Sequence, residues 1–148
     1  MKIFKAAALA LTLALFGALG GAASADEMAS PWPEGAAPYI ISPADGATVT
    51  SPVTVVFGLQ GMGVAPAGVD KPKTGHHHLL IDTTLPSGDE LNDPIPADEH
   101  FRHFGGGQTQ ATIELAPGQH TLQLLMGDMN HVPHNPPLAS KVVTITVE

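Results

Sequence analysis

The chain has 148 residues with 14 acidic and 6 basic side chains, a formal charge of −8 with histidine neutral. That balance works against nucleic acid and anionic lipid as partners, because both attract clusters of Lys and Arg. Cysteine is absent, which excludes disulfides, thiolate metal sites and an acylated cysteine anchor, and the length suits one compact core.

Residues 1–25 carry the pattern of a signal peptide. Lys2 and Lys5 precede an apolar run over 6–19, and Ala23-Ser24-Ala25 is the small-x-small sequence that a signal peptidase accepts. The run falls short of the ~20 residues that span a bilayer. Cleavage near Ala25 therefore predicts a secreted protein of the periplasm or cell exterior, with no inserted segment afterwards. Residues 26–37 are rich in Pro, Ala and Gly and read as a flexible leader. Trp32 and Tyr39, the only Trp and Tyr, flank its end and are expected to pin it to the edge of a domain over 38–148.

That domain reads as short strands separated by turns. A first strand covers 39–41, and a turn follows over 42–46. Val53, Val55, Phe57 and Leu59 then alternate as one face of a half-buried strand. Residues 60–75 read as loop, and the strand GHHHLLID spans 75–82. The stretch 83–107 holds three prolines and four glycines, and a loop of such length is uncommon unless it is functional. Ala111, Ile113 and Leu115 alternate next. Pro117-Gly118 reads as a hairpin turn, with Leu122, Leu124 and Met126 returning along the partner strand. After the loop GDMNHVPHNPP, 127–137, Val143, Ile145 and Val147 close the domain. The expected fold is all-β, an immunoglobulin-like β-sandwich of about seven short strands with long His-bearing loops.

Seven of the 8 histidines fall in three groups: His76-His77-His78, His100 with His103, and His131 with His134. Alternation along a strand puts His76 and His78 on one face and His77 on the other. If the strand and both loops meet, His76, His78, His103, His131 and His134 can surround a copper or zinc ion, which imidazole suits. Asp82, Asp128 and Asn130 are the expected outer partners that orient those rings. Met62 and Met129 are soft donors that favour copper. The competing reading makes the histidines hydrogen-bonded braces of their own loops. His120, at the predicted hairpin, reads as a surface residue.

The segments GHHHLLID, HFGGGQTQATIEL, PGQHTLQLLMGDMNHVPHNPP and VVTITV resemble the exported bacterial family named domain of unknown function 4399, a resemblance that covers about residues 38–148. The resemblance implies an exported β-rich domain and assigns it no chemistry. Three functions stay open: a binding module for a metal ion or small ligand, a metal-dependent envelope enzyme, and a metal-free structural or adhesive module. No catalytic residue is assigned, since G-x-S-x-G is absent. His76 and His78 begin like a cupin motif, but Leu80, Ile81 and Asp82 follow where that motif needs Glu.

Overall fold

The computed structural model describes residues 32–148. The predicted signal peptide and the leader up to residue 31 lie outside the described residues. The first strands are β1 (Ala37–Ser42), β2 (Thr48–Val49), β3 (Val53–Gln60), where apolar residues alternate, β4 (Gly63–Val64) and β5 (Thr74–Ile81). A 3-10 turn (Gly88–Asn92) follows, then β6 (Phe101–His103), β7 (Gln110–Ile113), β8 (Gly118–Gly127) and β9 (Val143–Val147). One sheet has the order β1-β3-β7, the other β2-β9-β8-β5-β4, with β6 also paired to β5.

The two sheets form a β-sandwich. Val53, Val55 and Phe57 of β3 and Ile113 of β7 face Leu79 and Ile81 of β5 across the core. Leu122 and Leu124 of β8 and Val143, Ile145 and Val147 of β9 complete it. Every second residue faces inward, as the strand repeat requires. Each fully buried Leu, Ile, Val or Phe contributes roughly 1.5–3 kcal/mol relative to exposure.

The larger sheet is covered on its outer face too. Leu80 and Leu125 form a second apolar cluster with Ile95, against which Leu85, Phe101 and Ala139 pack. The segment after residue 127 folds back over β8: Leu125 bridges Ala139, the Leu124 amide donates to Ser140 Oγ, and Gln123 Nε2 donates to the Ser140 carbonyl. Consequently β5 is buried from Gly75 to Ile81. Its outward side chains sit under loops rather than in water.

Two expectations are corrected. Residues 110–113 and 118–127 do not form a hairpin. β7 pairs with β3, whereas β8 pairs with β5 and β9, so the Pro117-Gly118 segment crosses between sheets. Alternation and a turn signal are common to both topologies and leave the partner undecided. The stretches 60–75 and 83–107, expected as loops, also contribute β4 and β6, both too short for a periodic signal.

Asp82 ends β5 and joins it to β8. Its Oδ1 accepts the Thr121 amide at 2.8 Å, and Oδ2 accepts from His120 Nδ1 at 2.7 Å. His120 Nε2 donates to the Ala116 carbonyl at 2.8 Å. Acceptors on both ring nitrogens hold the imidazolium, so His120 is raised above its ordinary pKa, chiefly by Asp82. Burial works to raise the Asp82 carboxyl, but bonds from His120 and the Thr121 amide outweigh it and hold the group low. His120 is thus a strand-end brace rather than a free surface residue. Asp82→Ala is expected to destabilise the domain by about 1–3 kcal/mol by removing both contacts, and more than His120→Ala, which spares the Thr121 amide. Urea unfolding checks this, and equal losses in the two variants would contradict it.

Candidate metal centre

Strand alternation divides the three adjacent histidines. His77 turns into the sandwich, its ring centre 5.3 Å from that of Phe57. His76 and His78 turn outward beneath the loops, fully buried. The pairing of β6 with β5 places His103 directly opposite His78. β8 pairs Gly127 with His76, and the turn that follows delivers His131. Ring centres lie 4.9 Å apart for His76–His78 and 5.0 Å for His76–His103 and His78–His103. His131 lies 4.6 Å from His103, 5.0 Å from His76 and 6.0 Å from His78.

Ring nitrogens of His76, His78 and His103 all lie within 4.8 Å of one another, a group that could hold a metal ion. His76 Nε2 and His78 Nε2 are 3.1 Å apart. Two nitrogens bonded to one ion at ~2.0–2.1 Å are separated by about 2.9–3.4 Å for bond angles between square and tetrahedral. The β5 pair therefore already stands at ligand spacing.

Two glycines clear the room. A Cβ on Gly127 would lie 2.9 Å from His78 Nε2 and 3.2 Å from the His131 Cα. A Cβ on Gly105 would lie 2.3 Å from His103 Cε1. The loop after β8 is strained as well as braced. His131 and His134 both adopt left-handed φ, 71° and 61°, a conformation that costs a non-glycine residue of order 1 kcal/mol or more. Asp128 offsets that strain: its Oδ1 accepts the Asn130 and Val132 amides, and Oδ2 accepts from His134 Nε2 at 2.8 Å. Trp32 Nε1 donates to the Pro133 carbonyl at 2.9 Å, and its ring meets His134 edge-on. The end of the leader is thus pinned onto the loop that carries His131.

Burial first, then the neighbouring His103 and His131, lowers His76 to about 4, against a smaller opposing pull from Asp128. Burial and the rings of His76, His103 and His131 lower His78 to about 2. His103 is lowered by burial and by His131. His77 is lowered by burial; neither of its nitrogens reaches hydrogen-bonding geometry, although the backbone of Gln108 and Gly58 offsets part of the shift. Near neutral pH His76, His78 and His103 are therefore uncharged, and each ring has one nitrogen lone pair to offer.

Of the expected ligands, His76, His78, His103 and His131 come together. His134 stands behind them, committed to Asp128. Asn130 contributes its backbone amide to Asp128. Asp82, expected as an outer partner of the cluster, lies at the other end of β5 on His120 and Thr121. His100 Nδ1 faces the Ile81 carbonyl at 2.9 Å. The sequence reading missed Gly127, because an isolated glycine at a strand end signals a turn as readily as a close approach.

Residues 55–148 match the family model described as Domain of unknown function (DUF4399). The chain belongs to this family. The DUF4399 match runs from within β3 to the end of β9 and holds all four clustered histidines, while β1 and β2 precede it. No curated protein and no solved structure matches the chain.

The neutral cluster has a consequence for stability in acid. In the unfolded chain His78 takes up a proton near pH 6.5, and in the folded domain only near 2. Between those values the unfolded state binds more protons, so stability falls as pH drops below 6.5. From pH 7 to 5 His78 alone is expected to remove about 2 kcal/mol from the metal-free domain. His120, raised by Asp82, offsets part of this. Urea unfolding with a chelator present measures the loss; His78→Phe should flatten the dependence, and an unchanged slope would contradict the assignment.

Proposed function

We propose that the domain binds one transition-metal ion through imidazole nitrogens of His76, His78, His103 and His131, with copper favoured over zinc. The observation that carries this reading is where the ring nitrogens point. His100, His120 and His134 aim at carbonyls or carboxylates, as loop braces do. His76 and His78 turn Nε2 toward each other, and the Nδ1 of each is buried with no hydrogen-bond partner. Two facing imidazole nitrogens 3.1 Å apart need a proton or a cation between them. A cation bound to both Nε2 atoms takes the place of that proton, at the spacing that two ligands of one ion adopt.

The donors assembled are nitrogens, which suit both copper(II) and zinc, and for a given site copper(II) binds the more tightly. Asp128, close enough to pull His76 upward, supplies negative charge beside the ion without ligating it. The signal-peptide pattern of residues 1–25 supports an exported setting. The reading is one of binding, with no catalytic residue.

Metal analysis of tag-free protein by mass spectrometry, with copper(II) and zinc(II) titrations, tests it. One equivalent per chain is expected, copper the tighter. His78→Ala should weaken binding at least ~100-fold, and Gly105→Ala, which displaces His103 without deleting it, about 10-fold. A wild-type protein that takes up neither metal, or variants that bind as wild type does, would overturn the proposal.

A further inference from the structure

Beside the imidazole cluster lies a cleft of about 460 Å³, open at the sandwich edge where β6 of the larger sheet faces β7 of the smaller. Phe101, Phe104, Ala111 and Ile113 line it on the apolar side, and Arg102 and His103 are its basic groups. Phe104 is anchored against Phe57 in the core, ring centres 4.9 Å apart, and Phe101 against the outer apolar cluster, so the apolar wall is fixed rather than adaptable.

Arg102 is the chain's only arginine. Among the described residues its guanidinium makes no hydrogen bond or ion pair, although the chain carries 14 carboxylate residues. Asp98 also lines the cleft, but its Oδ1 is occupied by the amides of His100 and Phe101 in the turn entering β6. A planar guanidinium with free donors matches a carboxylate through two parallel bonds. His103 is the most exposed of the four clustered histidines, and it borders both the cleft and the cluster.

We propose that this cleft binds a small carboxylate-bearing molecule, with Arg102 clasping the carboxylate and the Phe101–Phe104 wall packing its apolar part beside His103. Such a carboxylate arrives either free or as the chelating ligand of a metal ion, and the second source rests on the metal-binding reading above. A chelate seated there sets its ion next to His103, at the open side of the cluster.

Citrate titrated into ¹⁵N-labelled domain, metal-free and zinc-loaded, tests the cleft. The Arg102 Nε–Hε signal and the backbone amides of Phe101, Arg102 and Ala111 are expected to shift. Arg102→Gln should weaken citrate at least tenfold, with partial recovery in Arg102→Lys, and leave zinc affinity without citrate unchanged. Shifts in the metal-free protein support a free carboxylate, and Arg102-dependent shifts only in the zinc-loaded protein support a chelate. Citrate that leaves these signals unmoved in both forms, or binds Arg102→Gln as tightly as wild type, overturns the cleft. The two readings fail separately. Zinc binding with no Arg102-dependent citrate binding defeats the cleft alone, and citrate binding in a protein that takes up neither zinc nor copper defeats the metal reading alone.

Discussion

A strand covered on both faces has no wet side, and β5 is such a strand. Leu79 and Ile81 need the sandwich core, so strand alternation forces His76, His78 and Leu80 to the opposite face. On most sandwiches that face meets water, and a histidine there would be unremarkable. Here the loops after β5 and β8 fold over it, drawn down by Leu80, Leu125 and Ile95. Two imidazoles are thereby committed to a dry environment, and the rest of the centre follows. β6 brings a third ring across from His78, and the turn after Gly127 brings a fourth.

Local structure is bent to serve that arrangement. Two histidines in one short loop hold left-handed backbone, an arrangement better suited to glycine or asparagine. Asp128 stabilises it with two amides and the His134 ring, and Trp32 anchors the loop from outside. Glycine stands at 105 and 127, where any Cβ would strike a ring or the approaching backbone. Strain, braces and clearances all converge on the placing of His103 and His131. Side chains held by their neighbours in this way are what the proposed metal site requires.

The sequence made part of this legible. Period-2 alternation around 53–59 and 143–147 gave two core strands, and the same rule separated His77 from its neighbours. The histidine groups at 76–78, 100/103 and 131/134 pointed to one region, where the rings of His76, His78, His103 and His131 meet while His134 turns to Asp128 and His100 to the Ile81 carbonyl. Sheet partnership was not legible: Ala111 and Ile113 alternate equally well beside β8 or beside β3, and only the register with Val53 and Val55 decides. A three-residue strand such as β6 is too short to show a period, yet it sets His103 opposite His78. Asp82 and Asp128 look equivalent in sequence, each adjoining a His-bearing strand. Turn geometry alone sends one to His120 and the other to His134.

The central claim is that these four imidazoles form one coordination sphere. Pulsed electron paramagnetic resonance of the domain loaded with one equivalent of copper(II) counts the coordinated imidazoles directly through their remote ring nitrogens. Three or four imidazoles on a single copper is the predicted result. Copper held by none or one, with the spectrum of a surface carboxylate site, would contradict the account and leave the cluster as packed neutral rings.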